Sequence, residues 1–277
     1  MPGLLETTAN HLRVAKRLAP RRGASLRERF GRLDDRLVFV VGSPRSGTTF
    51  LARAIGSVPG FVDLGELAPV KASVPELVSL DPEAAARRLR RTLALARRIG
   101  LVGSIRAVEQ TPELAHLVRA IPLAFPRATI VHIVRDGRDV VCSLLERGWL
   151  QPDRAGRDDA GIPYGSYARF WVEPERREEF EGVSDARRAA WAWRRYVTAA
   201  LTAPGAVEIR YERLVEDPDA VARDLAERLD VSEKPLWTAL GHVHRESVGR
   251  YRRDLSEEQL ADVLAEAGDL LRELGYA

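Results

Sequence analysis

An α/β fold in three layers, with a central, mainly parallel sheet between two layers of helices, is predicted by three observations. Residues 37–41 are an unbroken apolar run rich in β-branched side chains, and residues 128–134 are a second, mainly apolar run of the same type, as expected for parallel strands that are buried on both faces. A helical pattern follows each run, which is typical of strand–helix–strand units. At 277 residues with 45% hydrophobic and 30% charged side chains, the chain is long enough for one large domain of ordinary globular composition.

A phosphate-binding loop is predicted directly after the first apolar run. The run ends at Gly42, and a helix capped by Thr48 or Thr49 should follow Gly47. Backbone N–H groups in such a loop bind an anion together with the positive end of the helix dipole. The spacing fits the Walker A motif of NTPases, except that Thr48 replaces the lysine that contacts the β- and γ-phosphates. Since the cation of this loop is Arg45 instead, we expect one phosphate bearing a transferable group and no metal ion.

Residues 44–49, Pro-Arg-Ser-Gly-Thr-Thr, resemble the 5′-phosphosulfate loop of sulfotransferases that use 3′-phosphoadenosine-5′-phosphosulfate (PAPS). This resemblance implies a P-loop NTPase-like sulfotransferase fold and 3′,5′-bisphosphoadenosine (PAP) as the product. It also implies that the donor is bound by Pro44, Arg45, Ser46, Gly47, Thr48 and Thr49. A plain strand-to-helix connection is the alternative for this hexapeptide taken alone.

The end of the second apolar run supplies the other half of the predicted nucleotide site. Arg135, and Ser143 eight residues later, have a spacing similar to that of the pair that binds the 3′-phosphate of PAPS in the resembled enzymes. Arg147, one helical turn beyond Ser143, should share its face and reach the same phosphate. Asp136 and Asp139 are expected to cap the helix or to pair with Arg138. Two anion pockets, one after each buried strand, would then hold opposite ends of one nucleotide.

Glu66, after a short second strand, is the predicted general base. Its position resembles that of the catalytic glutamate of protein-tyrosine, bacterial and carbohydrate sulfotransferases, although a surface carboxylate at a strand end is the alternative. Gln110 stands where many of these relatives carry a lysine that stabilises the transferring sulfuryl group, and this departure weakens the catalytic case. Cytosolic small-molecule sulfotransferases place a base histidine near the position of Pro112, so its absence here favours Glu66.

Two segments nearer the C-terminus complete the predicted nucleotide site. Tyr211 opens a Tyr-Glu-x-Leu turn similar to the family turn whose tyrosine lies near the adenosine. Residues 247–253 form a basic loop that contains a glycine, and related enzymes close such a loop over the 3′-phosphate. Arg250 is the preferred candidate there, with Arg252 and Arg253 as alternatives.

Three segments are predicted along the chain. Residues 1–35 form a peripheral helical extension, for which an amphipathic helix at a membrane surface is the alternative. Residues 36–277 form a single sulfotransferase domain. Within it, residues 148–183 are irregular and carry dispersed aromatic side chains, which predicts an acceptor-binding lid or else a surface excursion.

Composition narrows the class of protein. A net charge of +3 is too small to argue for nucleic acid, and no apolar run approaches the roughly 20 residues that span a bilayer. The single cysteine, Cys142, excludes an internal disulfide, and the N-terminus lacks the apolar core of a secretory signal, so a cytoplasmic protein is expected. Histidine and cysteine spacings predict no metal site.

The predicted reaction is transfer of a sulfuryl group from PAPS to a hydroxyl of a small-molecule, carbohydrate or peptide acceptor. Glu66 would accept the proton, and Arg45 would stabilise the transferring group. One alternative is a P-loop kinase with an unusual acceptor, which would need ATP and Mg²⁺. The other is a catalytically inactive nucleotide-binding relative, which is suggested by Gln110.

Overall fold

A parallel sheet of five strands lies at the centre of the described part of the chain. The structure is a computed structural model that describes residues 32–147 and 172–276, with residues 8, 9, 12 and 14–16 before them. The strands are β1 (Val38–Val41), β2 (Phe61–Gly65), β3 (Arg106–Glu109), β4 (Thr129–Val134) and β5 (Val207–Arg210). Their order is β2-β3-β1-β4-β5, and every pairing is parallel. The predicted parallel sheet is confirmed.

Helices connect and cover these strands. From residue 32 onwards the described helices are α1 (Thr48–Gly56), α2 (Ala68–Leu77), α3 (Pro82–Ile99), α4 (Ala120–Ala124), α5 (Gly137–Leu145), α6 (Arg177–Gly182), α7 (Asp185–Leu201), α8 (Tyr211–Glu216), α9 (Pro218–Leu229), α10 (Glu233–Leu240), α11 (Tyr251–Asp254) and α12 (Glu257–Glu273). Short 3₁₀ turns lie at Pro112–Leu117, Pro174–Arg176 and Arg245–Ser247.

The alternation of side chains along β1 produces the three layers. Phe39 and Val41 point into a core cluster that contains residues of α2, α3 and α4. Val38 and Val40 point into a second cluster, formed with α1, α9 and α10 on the opposite face. Because both faces of β1 are covered, all four side chains of the strand are buried and apolar, which confirms the predicted three-layer fold.

Strand topology brings the two predicted halves of the site to one edge of the sheet. β1 and β4 are neighbours in parallel register, with Val41 opposite His132, so both strands run out at the same edge. The loop that follows Val41 and the residues that follow Val134 therefore lie side by side. In open parallel sheets, the crevice outside the carboxyl ends of the strands is the usual position of a nucleotide.

A glycine at the start of α5 sets how closely this helix approaches α7. A Cβ atom added to Gly137 would lie 2.7 Å from the ring of the fully buried Trp193. We expect Gly137→Ala to lower the free energy of unfolding by about 1–3 kcal/mol, as overpacking of a core does. Gly182→Ala is the matched control, because nothing lies within 4 Å of its added Cβ. Equal urea midpoints for the two variants would contradict the tight contact.

The predicted segment boundaries remain predictions. Val14, in the partly described N-terminal segment, is buried in the core cluster that also contains Phe39. Residues 148–171 of the predicted lid lie outside the described residues. The rest of the lid contains α6, whose Phe180 packs edge-on against Trp191 at a centroid distance of 5.5 Å. Within the described residues, no helix is long and apolar enough to cross a membrane.

Candidate active site

The loop between β1 and α1 is built from backbone conformations that few side chains adopt. Gly42, Arg45 and Gly47 have φ angles of +152°, +72° and +100°. A Cβ atom on Gly47 would lie 2.9 Å from the ring of Tyr211, so this loop fits closely against its neighbour. For Arg45, a left-handed conformation costs roughly 1–2 kcal/mol, which the surrounding contacts must offset.

Helix α1 begins differently from the sequence prediction. Its N-cap is Gly47, with no capping hydrogen bond from a side chain, so the prediction that Thr48 or Thr49 caps the helix is wrong. Thr48 is the first helical residue and is buried, whereas Thr49 is exposed and its Oγ1 donates to Oε1 of Gln110 at 3.3 Å. Because the N-cap residue Gly47 has no side chain, it leaves the first backbone N–H groups of α1 without a side-chain cap.

The two predicted pockets meet at one hydrogen bond. The Nε atom of Arg45 donates to Oγ of Ser143 at 2.9 Å, across 98 residues of sequence. A second contact runs beside it, because Nη1 of Arg135 donates to the carbonyl of Arg45 at 3.3 Å. Arg45, Arg135 and Ser143 therefore form a single cluster at the adjacent ends of β1 and β4.

Arg135 is nearly buried, with 5% of its surface exposed, and is held on several sides. Nη2 donates to the carbonyl of Ser247 and lies 3.9 Å from the carboxylate of Asp139. The guanidinium also stacks over the ring of Tyr211 at 4.7 Å. Its Nε atom and the Oγ of the fully buried Ser46 have no hydrogen-bond partner among the described residues. Two buried donors without acceptors suit a site that receives phosphate oxygens.

Tyr211 supports both the first loop and Arg135. Besides its contacts with Gly47 and the Arg135 guanidinium, its hydroxyl donates to the carbonyl of His244 at 3.0 Å and lies 3.1 Å from Oγ of Ser247. The predicted position near an adenosine stays a prediction.

Asp139 holds the basic loop against α5. Its buried carboxylate accepts from the backbone N–H of Gly249 at 2.7 Å and of Tyr251 at 3.0 Å. Burial raises the pKa of this carboxyl above its usual value. Capping is done by Asp136 alone, which accepts from the N–H of Arg138 and pairs with its guanidinium at 2.7 Å. The sequence offered no signal for the loop contact, because the partners lie 110 residues apart.

The remaining two predicted phosphate ligands differ in their surroundings. Arg250 is paired with Glu146 and, at 2.7 Å, with Asp254, and the hydrogen bond to Glu146 raises the pKa of Arg250. Arg147 is exposed and lies beyond α5, which ends at Leu145 in a turn tightened by the hydrogen bond from the N–H of Arg147 to Leu144. Arg147 therefore lies just outside the helix that carries Ser143, and the shared face stays a prediction. Roles for both arginines at a phosphate stay predictions.

Glu66, the predicted base, lies between β2 and α2 with one third of its side chain exposed. Oε2 accepts a hydrogen bond from Nζ of Lys71 at 2.6 Å. Lys71 is itself only 5% exposed and lies 3.6 Å from Oε1 of Glu113. Sequence reasoning missed Lys71. The available signal was that only three lysines occur in this arginine-rich chain, and that one of them follows Glu66 by five residues.

A second carboxyl lies close to Glu66. Glu109, at the end of β3, is fully buried and accepts from the N–H and the hydroxyl of Thr111 at 2.9 and 2.6 Å. Burial raises the pKa of Glu109 to about 7, and the charge of Glu66 contributes to the same effect. Among the described residues, no group of three or more His, Cys, Asp and Glu side chains is arranged to hold a metal ion.

One family model matches the chain over about half of its length. It is described as "Sulfotransferase family" and matches residues 96–235. An uncharacterized protein of Aquifex aeolicus (strain VF5) is 26% identical over 261 residues. That alignment covers 80% of this chain, but the chain spans only 31% of the length of the Aquifex protein.

Solved structures share the fold. A sulfotransferase domain from the curacin biosynthetic pathway aligns with a TM-score of 0.57 at 16% identity, over 87% of this chain and 98% of that domain. Mouse sulfotransferase SULT7A1, solved in complex with PAP, aligns with a TM-score of 0.53 at 14% identity, over 91% of this chain and 92% of the mouse chain. At such identities these likenesses show the fold alone.

Proposed function

The chain belongs to the sulfotransferase family, and on that premise we propose that it transfers a sulfuryl group from PAPS to an acceptor hydroxyl and releases PAP. The observation that carries the proposal is the hydrogen bond between Arg45 and Ser143. It joins the loop that resembles a 5′-phosphosulfate site to the strand end that resembles a 3′-phosphate site. One doubly phosphorylated adenosine can then contact both.

The residues around this contact fit the donor. Ser46 and Arg135 each present a buried donor atom without a partner among the described residues, which phosphate oxygens would satisfy. Residues 44–49 bind the 5′-phosphosulfate with their backbone and with Arg45. Arg135 and Ser143 bind the 3′-phosphate, assisted by Arg147 and Arg250, and Tyr211 lies beside the adenosine. No metal ion is required, because arginines supply the compensating charge.

In the proposed reaction, Glu66 takes the proton of the acceptor hydroxyl while the hydroxyl oxygen forms its bond to sulfur. The bond between sulfur and the bridging oxygen of the 5′-phosphate breaks at the same time, so PAP leaves with the electron pair. Arg45 and the backbone N–H groups of residues 46–49 stabilise the charge that develops on the leaving phosphate. The acceptor is a small molecule, a carbohydrate or a peptide, and Glu66 is exposed enough to meet it.

Ligand-induced thermal stabilisation tests the donor. We expect PAP to raise the melting temperature in the presence of EDTA, because it satisfies the buried donors of both halves of the site. Adenosine 5′-phosphate lacks the 3′-phosphate and should raise the melting temperature less than PAP does. ATP with Mg²⁺ should raise it no more than adenosine 5′-phosphate does. Stabilisation by ATP with Mg²⁺ beyond that by PAP would favour the kinase alternative and contradict the proposal.

Transfer itself is tested with ³⁵S-labelled PAPS and a panel of phenols, alcohols, carbohydrates and tyrosine peptides. Labelled product from any acceptor supports the proposal and excludes an inactive nucleotide-binding relative, the alternative that Gln110 suggests. PAP binding without labelled product from any member of the panel would favour that relative.

A further inference from the structure

We propose that Lys71 is a positioning residue for Glu66: its ammonium group, shared between Glu66 and Glu113, aims the Glu66 carboxylate and keeps it ionised. This inference rests on the proposed function, in which Glu66 accepts the acceptor's proton. It assigns a task to a residue that lies in none of the sequence motifs described above.

The contact geometry is that of one ammonium between two carboxylates. Nζ of Lys71 lies 2.6 Å from Oε2 of Glu66 and 3.6 Å from Oε1 of Glu113. Lys71 comes from α2, Glu66 from the loop before it and Glu113 from the 3₁₀ turn Pro112–Leu117. Because three separate elements converge on one ammonium, the position of the Glu66 carboxylate is fixed relative to the core.

Burial makes the arrangement asymmetric. The side chains of Lys71 and Glu113 are each 5% exposed, whereas that of Glu66 is 33% exposed. An ammonium removed from water needs paired carboxylates, since an isolated buried charge is strongly destabilising. Glu113 is the enclosed partner that anchors the lysine, and Glu66 is the partner that faces outward. The pair is thus arranged to hold an accessible carboxylate with an inaccessible cation.

The choice of lysine supports a specific task. Three lysines stand among 43 basic residues, so arginine is the usual cation of this chain, yet the buried position beside Glu66 carries a lysine. An ammonium is a compact charge that can sit between two carboxylates, whereas a guanidinium is a broad planar fork. When Glu66 takes a proton, the ammonium keeps Glu113 as a charged partner. Lys71 is therefore paired in both states of the base.

Other titratable groups face this cluster. The Glu109 carboxyl lies on the neighbouring strand, near enough for the charge of Glu66 to raise its pKa.

On the side of Glu113, the cluster is faced by Tyr196 of α7, which is hydrogen-bonded to Glu113. Burial raises the pKa of Tyr196 far above its usual value, so it stays neutral. The ring of His116 packs on Tyr196 at 4.8 Å, and burial lowers the pKa of His116 to about 3. Arg195, also on α7, adds to that lowering. Lys71 contacts Glu66 directly, at 2.6 Å.

The role of Lys71 is tested by the kinetics of two variants that change the charge near Glu66 in opposite directions. Lys71→Met removes the cation, so Glu66 should protonate more easily and the acidic limb of the kcat/KM profile should move to higher pH. Glu113→Gln removes a repelling anion, so the limb should move to lower pH. We expect kcat for Lys71→Met to fall about 10- to 100-fold, as misplacement of a reacting group does, with the KM for PAPS unchanged. Lys234→Met, at an exposed lysine, is the matched control.

A second variant covers the case in which Lys71→Met does not fold. Lys71→Arg keeps the charge, so the acidic limb of its kcat/KM profile should stay in place. Its kcat should fall, because the broader guanidinium displaces the Glu66 carboxylate. Limbs that stay in place in both Lys71→Met and Glu113→Gln, or that move in the same direction, would overturn the proposal.

Nuclear magnetic resonance of the lysine side chains supplies a readout that needs no turnover. With only three lysines, ¹⁵N-lysine labelling should give one ammonium signal that is protected from exchange, and Lys71→Arg should remove it. Glu66→Gln should shift this signal. An unmoved signal in Glu66→Gln would overturn the role of Lys71, whereas absence of turnover in the wild type would contradict the proposed function and leave the contact itself intact.

Discussion

Replacing Arg45 by alanine is expected to lower kcat for sulfuryl transfer by about a thousand-fold, while the affinity for PAP stays within about tenfold of the wild type. Removing one donor aimed at developing charge lowers kcat by about 100- to 1,000-fold, and Arg45 contributes a full charge as well. PAP retains the backbone N–H groups of the first loop and the guanidinium of Arg135. Ser143, which now accepts from Arg45 at 2.9 Å, remains available to the nucleotide.

Arg135→Ala should show the opposite pattern. Hydrogen bonds to charged groups contribute about 1.5–3 kcal/mol, so the dissociation constant of PAP should rise about 10- to 100-fold, with a smaller change in kcat at saturating PAPS. Arg53→Ala is the matched control, because Arg53 is an exposed arginine at the far end of α1. Calorimetry with PAP and transfer from labelled PAPS measure the two quantities.

The reversed result would overturn both roles. If Arg45→Ala abolishes PAP binding and Arg135→Ala keeps it, then Arg45 is the anchor of the nucleotide. Arg135 also contacts Asp139 and Tyr211, so its alanine variant needs a melting curve beside it, with Arg135→Lys as a variant that keeps the charge. A loss of PAP affinity in Arg135→Lys with an unchanged melting temperature would assign the effect to recognition.

The fold was predictable because its central strands leave an unambiguous pattern. A parallel strand covered on both faces must be apolar at every position, and β1 and the greater part of β4 meet that condition. Adjacent parallel strands end at the same edge, which is why two motifs about 90 residues apart meet through Arg45 and Ser143. The side-chain contact itself was not contained in either motif.

The contacts that the sequence did not reveal join segments that have no common pattern. Lys71 reaches Glu66 across the start of a helix and Glu113 from another turn, and no periodicity links these three residues. Asp139 looked like a helix cap, whereas its carboxylate binds the backbone of a loop 110 residues later.

Glu66→Gln should lower kcat by about 100- to 10,000-fold, the range that a positioned general base contributes. Glutamine has the same shape and its amide oxygen can still accept from Lys71, but it cannot take the acceptor's proton. The affinity for PAP should be unchanged, because the phosphate ligands are untouched. Glu76→Gln is the matched control on α2, since its carboxylate pairs with Arg88 in the described structure, on a partly exposed surface.

The pH dependence of this variant separates a base from a merely structural carboxylate. If Glu66 is the base, the acidic limb of the kcat/KM profile should disappear in Glu66→Gln and remain in Glu76→Gln. Survival of the limb with a small fall in kcat would mean that another group takes the proton. Glu109 is then the next candidate, because burial raises its pKa to about 7 and the charge of Glu66 adds to that effect. Glu109→Gln would in that case remove the limb that Glu66→Gln leaves, and the proton would be assigned to the end of β3.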